Sequence, residues 1–206
     1  MATRVGPTRR MGSRNSATGA ALLDATEAVM REEGYGAVTS RRVAERAGIN
    51  QQTVYYYFAA MDDLLLAAYR RRTAQVLETV KRAMASDRPL HALWQAFSDP
   101  FDAALTMEYL ALANHNEAIR RETIAFGEKM RALQVERLGD GIGAALPEDA
   151  PDSPLGLIMA LTYVSHLMGF EATLGLRGGH RDVRQLAEWA LRGLEPAGRG
   201  APRPPE

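Results

Sequence analysis

The sequence predicts an all-α protein of about nine helices arranged in two domains. Apolar residues recur at the i, i+3, i+4, i+7 spacing of helices through most of the chain, and no alternating run between turn residues indicates a strand. The length of 206 residues suits one or two domains, and an apolar content of 46% is typical of globular proteins. Only the termini depart from this pattern. Residues 1–16 are predicted to be a mobile basic arm, and residues 196–206, which hold four prolines, a disordered tail.

Three short helices are predicted between the arm and residue 60. The first carries an apolar stripe that ends before Gly34, a residue typical of helix C-termini. Thr39 is a good N-cap for the second helix, and Asn50 for the third. Gly48 ends the second helix because glycine adopts the turn conformation at no steric cost. The predicted bounds are about 17–33, 40–47 and 51–58.

Six further helices are predicted from Met61 onward. Their bounds are about 61–85, 90–98, 101–113, 117–138, 155–176 and 181–194. The fourth of these could continue to 146, although Gly139, Gly141 and Gly143 weaken that continuation. We assign residues 61–195 to one helical domain, whose first helix connects it to the domain at 17–60.

The segment from Ser40 to Phe58 has the pattern of a helix-turn-helix. Small Ala44 lets two helices cross closely, while Ile49 and Val54 fill the corner between them. The second helix then turns its polar face outward, where it can enter a DNA major groove. Glutamine can bind adenine, and arginine and tyrosine can bind phosphate. The candidate DNA-binding residues from this pattern are Arg41, Arg42, Gln51, Gln52, Thr53, Tyr56 and Tyr57.

An alternative interpretation is that the aromatic run from Tyr55 to Phe58 belongs to a core. For Phe58 and the ring of Tyr55, packing is the expected role.

The same segment resembles the TetR family of bacterial transcriptional regulators over about residues 20–70. The agreement lies at Gly34-Tyr35, Thr39, Arg41, Val43-Ala44-Glu45, Ala47-Gly48-Ile49, Thr53-Val54-Tyr55 and Tyr57-Phe58. The resemblance implies a three-helix DNA-binding domain, followed by a helical domain that binds a ligand and dimerises. It also implies release of operator DNA when the ligand binds, and adds Thr39 and the Tyr55 hydroxyl to the DNA-binding residues. Members usually place a lysine at the start of the fourth helix; this chain has Met61, so a phosphate there must be held by backbone N–H groups or not at all.

The last two helices are predicted to form a dimer interface. The helix at 155–176 is apolar nearly all round, which is typical of a helix covered on every side. The predicted interface residues are Leu157, Leu161, Val164, Met168, Val183, Leu186, Ala187, Ala190 and Leu194. The alternative is that both helices complete a monomeric bundle.

A pocket for an apolar or amphipathic effector is predicted in the same domain, because aromatic and methionine side chains are frequent there. Its candidates are Trp94, Phe97, Phe101, Met107, Tyr109, Leu110, Phe126, Met130, Tyr163, His166 and Phe170. Tyr163 and His166 are the best polar candidates, since a buried polar group needs a partner. For any single residue an ordinary core position is the competing interpretation.

Other functions are less well supported. The chain has no cysteine, and its four histidines lack the i, i+4 spacing of a helical metal pair, so we expect no enzyme, cofactor or metal site. A helical adaptor would leave the polar face of residues 51–57 without a purpose.

The zero net charge conceals two opposite halves. Residues 1–82 hold 13 basic and 8 acidic groups, a net of +5, and residues 83–206 hold 12 and 17, a net of −5. The basic half fits DNA binding. The apolar run at 155–176 contains His166 and Glu171, which argues against a membrane span, and no secretory signal precedes it. We therefore expect a cytoplasmic homodimer that binds an operator and a small effector, with no membrane partner.

Overall fold

The computed structural model describes residues 16–98, 100–149 and 153–195, without the side chains of 100–102. Nine α-helices and no strand occur in this part of the chain, so the all-α prediction is confirmed. The helices are α1 (Ala17–Glu33), α2 (Ser40–Ala47), α3 (Gln51–Tyr57), α4 (Met61–Met84), α5 (Pro89–Phe97), α6 (Pro100–Ala113), α7 (Glu117–Ala145), α8 (Pro154–Thr173) and α9 (His180–Leu194). The predicted tail, and the predicted arm apart from Ser16, lie outside the described residues.

The chain divides into two compact units, residues 1–71 and 72–206. The division lies within α4, between Arg71 and Arg72, whereas the sequence places a boundary before that helix. This position suits a helix that begins in one unit and continues into the other.

The first unit is built on α1, α2, α3 and the start of α4. Thr39 and Asn50 cap α2 and α3 as predicted, accepting hydrogen bonds from backbone N–H groups at 3.2 and 2.8 Å. Arg71 ties α4 to α1 within this unit: Nη1 lies 2.7 Å from Asp24 Oδ1 and Nη2 lies 2.9 Å from Glu27 Oε1. Both contacts hold the helices that surround the helix-turn-helix in one arrangement.

The second unit packs α5, α6 and α7 around α8, and α9 against α5 and α7. Glu195, just after α9, accepts hydrogen bonds from the N–H groups of Leu90 (2.6 Å) and His91 (3.1 Å) at the start of α5. A carboxylate in this position satisfies helix N–H groups that have no partner within the helix. The contact therefore joins two helices that are far apart in sequence.

One predicted helix end is wrong, and one that was left open is decided. The helix that starts at Glu117 takes the longer of its two predicted ends and continues through Gly139, Gly141 and Gly143 to Ala145. Leu138 and Ile142 are buried one turn apart on that stretch, and their packing offsets the low helix propensity of glycine. At its other end α8 stops at Thr173 rather than 176, before Gly175 at φ +85°.

Candidate nucleic-acid interface and ligand site

The corner of the helix-turn-helix is formed as the sequence predicts. Gly48 has φ +68°, and the next residue, Ile49, donates its N–H to the carbonyl of Ala44 at 3.0 Å. Val43 and Val54 are fully buried beneath the corner. The turn therefore fixes α3 against α2 and leaves its remaining surface outward.

Gln51 and Tyr55, one turn apart on α3, form a first row of side chains, and this row is hydrogen-bonded to the start of α2. The Ser40 hydroxyl oxygen accepts hydrogen bonds from Gln51 Nε2 at 2.8 Å and from the Tyr55 hydroxyl at 3.0 Å. Ser40 itself is buried, with 6% of its surface exposed. Sequence reasoning missed this residue; its place directly after the N-cap was the available signal, but the burial depends on how the two helices cross.

Thr53 and Tyr57 form a second row on α3. Hydrogen bonds from Ser16 and, more weakly, Thr18 lower the pKa of the Tyr57 hydroxyl. Thr53, one turn earlier on the same row, is half-buried. These two candidates therefore face the start of α1 on one flank of the recognition helix.

The row between them is as exposed as the first, whose Gln51 is exposed and whose Tyr55 is 42% exposed, but as far as the structure describes the chain it lacks such hydrogen bonds. Gln52 is exposed and Tyr56 is 44% exposed. Among the described residues none hydrogen-bonds the side chain of either residue. The ring of Tyr56 makes an edge-to-face contact with that of Tyr57, with centroids 5.2 Å apart. The structure thus separates the predicted DNA-binding residues of α3 into three rows with different surroundings.

The arginines of α2 also differ from one another. Arg42 donates to Glu33 through Nε (2.9 Å) and Nη2 (2.8 Å) and to Glu45 through Nη1 (3.0 Å), and these bonds raise its pKa. The same contact with Arg42 lowers the pKa of Glu33. Arg41 is exposed and has no ion pair or hydrogen-bond partner within the described part of the chain. Of the two predicted phosphate ligands, only Arg41 has an uncommitted charge.

The start of α4 lacks the basic residue that is usual there. Asp62 and Asp63 stand in its first turn, and Asp63 Oδ2 accepts the N–H of Ala60 at 3.2 Å. Because Asp63 occupies this N–H group, the group is not available to a phosphate at the start of α4.

A narrow cleft lies between α5 and α8 in the second unit, partly open to solvent, and its cavity volume of about 10 Å³ has room for about one water molecule. The hydroxyls of Thr162 and Ser165 in its wall already donate to carbonyls of their own helix, at 2.8 and 2.6 Å. Its surface is therefore effectively apolar. The lining residues are Leu90, Leu93, Trp94, Phe97, Ile158, Leu161, Thr162 and Ser165.

Two of the predicted pocket residues, Trp94 and Phe97, line this cleft. His166 lies beside the cleft, with its ring tilted against that of Phe97 and the two centroids 5.0 Å apart. The predicted residues outside the lining differ in burial: Tyr109 and Met130 are buried, Met107, Phe126, His166 and Phe170 are half-buried, and Leu110 and Tyr163 are 44% and 53% exposed. The side chain of Phe101 lies outside the described residues.

Tyr163 is not an interior residue, contrary to expectation. Its hydroxyl accepts a hydrogen bond from Arg131 Nη2 at 3.0 Å on the outer side of α8. The reason is that α8 is apolar on both sides while this chain covers only one of them.

The predicted dimer residues mostly face the core of their own chain. Met168 and Ala187 are buried in that core, and half-buried Leu157, Leu161, Val183 and Leu194 pack against it. Ala190 is half-buried. Only Val164 (40%) and Leu186 (64%) are exposed. The stripe of α9 is the face that its own unit covers.

Other large apolar side chains occupy the outer sides of these helices. On α8 an exposed row contains Tyr163, Val164 and Leu167, and on α9 a second row contains Leu186 and Trp189, which is 67% exposed. By length and composition α8 could cross a membrane, a property that helices covered by protein share; only 22% of its most apolar window is buried by this chain. We call these two rows the outer rows of α8 and α9.

No cluster of three or more potential metal ligands occurs among the described residues.

Comparison with known proteins agrees with the helix-turn-helix. Residues 22–68 match the family model "Bacterial regulatory proteins, tetR family". No curated protein matches the chain in sequence.

Three solved structures share the fold over most of both chains. A transcriptional regulator from Pseudomonas aeruginosa PAO1 is 21% identical, with a TM-score of 0.66, and the match covers 86% of this chain and 90% of that one. One from Saccharomonospora viridis in complex with choline is 18% identical, with a TM-score of 0.70 and coverage of 84% and 94%. A TetR transcription regulator from Haloarcula marismortui is 18% identical, with a TM-score of 0.67 and coverage of 87% and 97%. At these identities the likeness establishes the fold alone.

Proposed function

We propose that this chain, a transcriptional regulator of the TetR type whose residues 22–68 match that family model, is a repressor. It binds a palindromic operator as a dimer and leaves the operator when a small apolar or amphipathic effector binds. The protein acts in the cytoplasm and catalyses no reaction.

The observation that carries the proposal is the open face of α3. A buried corner holds the helix rigidly, and its exposed row presents an amide and a phenol to solvent. Arg41 adds an uncommitted positive charge on the preceding helix. These are the groups that contact base edges and phosphates in helix-turn-helix proteins.

The test is selection of binding sites from random duplexes with the full chain. We expect enrichment of an inverted repeat whose half-sites lie about 34–36 Å apart or at a multiple of that distance. Binding should weaken steeply as salt is raised. Selection that enriches no sequence would contradict the proposal and favour a helical adaptor.

The outer rows of α8 and α9 support dimerisation, because large apolar side chains exposed on two helices indicate a protein partner. Trp189→Asp should convert the dimer to a monomer in sedimentation analysis. Ile124→Asp is the matched control, since Ile124 is 59% exposed on α7 and lies outside the outer rows. A monomeric wild-type protein, or dissociation caused by Ile124→Asp alone, would contradict this interface.

The lining of the cleft between α5 and α8 supports an apolar effector, because its hydroxyls are already bonded and it holds no charged group, and the cleft must widen to admit one. Fatty acids of graded chain length should raise the melting temperature and release the selected DNA, whereas choline should do neither. Leu161→Trp, which fills the cleft, should abolish both effects, and Leu110→Trp on the exposed side of α6 should preserve them. Stabilisation by choline alone, or an effect that survives in Leu161→Trp, would contradict the assignment.

A further inference from the structure

We propose that base recognition by this chain is confined to the open row of α3, Gln52 and Tyr56, and that Ser40 is a positioning residue that withholds Gln51 and Tyr55 from the bases. The inference rests on the proposed function, because it concerns how the operator is recognised. The proposal assigns different roles to the candidate DNA-binding residues of α3, which the sequence alone does not distinguish.

Ser40 is placed to hold one flank of the recognition helix. Gln51 and Tyr55 are one helical turn apart, so their side chains lie on the same row of α3. Both donate to the one Ser40 oxygen, at 2.8 and 3.0 Å, and that hydroxyl is buried. For Gln51 to reach a base edge, its hydrogen bond to Ser40 must break, which leaves the Ser40 oxygen with the bond from Tyr55.

The opposite flank is partly covered. Tyr57 is half-buried, and hydrogen bonding by Ser16 and Thr18 lowers the pKa of its hydroxyl. Thr53 on the same row is half-buried. The two flanks together fix the rotation of α3 about its own axis, which sets the direction in which its middle row points.

The middle row is left to read the DNA. The Gln52 amide offers a donor and an acceptor side by side, the pair that adenine N7 and N6 require in the major groove. Its backbone N–H is used by the cap residue Asn50, at 2.8 Å, so the base of the side chain is anchored while the amide stays exposed. Tyr56 lies one turn further along, and its ring rests edge-on against Tyr57. A bidentate pair of this kind discriminates between bases by about 5- to 150-fold.

The experiment compares Gln51→Ala with Gln52→Ala, which remove the same side chain from neighbouring positions. After site selection with the wild type, each variant is titrated against the operator and against duplexes with one substituted base pair per half-site. Gln52→Ala should lose about 5- to 150-fold discrimination at one base pair. Gln51→Ala should keep every base preference and change only the affinity shared by all duplexes.

Ser40 is tested by removing and then restoring its hydroxyl. In Ser40→Ala, Gln51 is released, and we expect a new or broadened base preference that disappears in the double variant Ser40→Ala/Gln51→Ala. Ser40→Thr keeps the hydroxyl and should return the wild-type preference. Because a purely structural role would alter melting temperature without altering base preference, the preference profile is the deciding readout.

Three outcomes overturn the inference. Loss of a base preference in Gln51→Ala with full retention in Gln52→Ala would show that the bonded row reads the DNA. A folded Ser40→Ala variant with an unchanged preference profile would refute the positioning role. A wild-type protein that selects no sequence at all would refute the proposed function and this inference with it, a result distinct from the other two.

Discussion

Arg41 and Arg42 are adjacent on α2 and identical in chemistry, yet their surroundings predict that only Arg41 contributes to DNA binding. The guanidinium of Arg42 donates to Glu33 and Glu45, which neutralise its charge. Arg41 is exposed without a partner in the described part of the chain. We therefore expect Arg41→Gln to remove a phosphate contact and Arg42→Gln to remove none.

The size of the effect follows from counterion release. Each phosphate contact contributes about 0.9 to the slope of log affinity against log salt. A dimer has two copies of Arg41, so Arg41→Gln should make the slope shallower by about 1.8. When the salt concentration rises from 50 to 200 mM, the fold decrease in affinity should therefore be about 12 times smaller for the variant than for the wild type.

The assay is fluorescence anisotropy with the selected operator over that salt range. Both variants remove one positive charge from the same helix, so each controls for the other's change in net charge. Arg42→Gln should keep the wild-type slope while lowering the melting temperature through loss of the contact with α1. Equal slope changes in both variants would refute the reasoning, because the ion pairs would then not withhold Arg42 from phosphate.

Three further outcomes are expected from ion pairs and caps. Arg71→Leu should lower the free energy of unfolding, measured by calorimetry, by about 1–3 kcal/mol, a value between those typical of exposed and of buried ion pairs. The reason is that Glu27, whose side chain is 12% exposed, loses the cation that it is paired with. Glu195→Gln should cost about 1 kcal/mol, read from urea unfolding, since a neutral acceptor replaces the carboxylate at the start of α5. Arg42 holds the pKa of Glu33 below its usual value of 4.5. The ion pair of ionised Glu33 with Arg42 therefore stabilises the folded state above pH 4.5, and this stabilisation is lost as pH falls through the lower pKa of the folded state. Glu33→Gln should make the decrease of melting temperature at acid pH, the acid limb of the curve, less steep. An unchanged acid limb would exclude this role of Glu33.

Local signals were sufficient to predict the helix-turn-helix. Thr39 and Asn50 cap their helices through their own backbone neighbours, and Gly48 adopts its turn without help from the rest of the chain. Such features depend on a few consecutive residues, which the sequence displays directly.

Features that depend on packing between helices were not predictable in the same way. Both sides of α8 are apolar, so its period does not say which side the chain itself covers. Of its outer row, the predicted interface contains Val164 but not Leu167. On α9 the more regular stripe, with Ala187, turned out to face the core. The role of Ser40 likewise depends on the crossing of α2 and α3, because only that crossing brings Gln51 and Tyr55 to its hydroxyl.

A hydroxyl-radical footprint on the selected operator is the decisive test of whether this chain recognises a palindromic operator as a dimer through α3. We expect two symmetric protected half-sites about 34–36 Å apart or at a multiple of that distance, on one face of the duplex. Gln52→Ala should protect the selected operator and an operator substituted at the one contacted base pair per half-site equally well. A single protected half-site, or a uniform weak footprint that does not depend on sequence, would contradict the account.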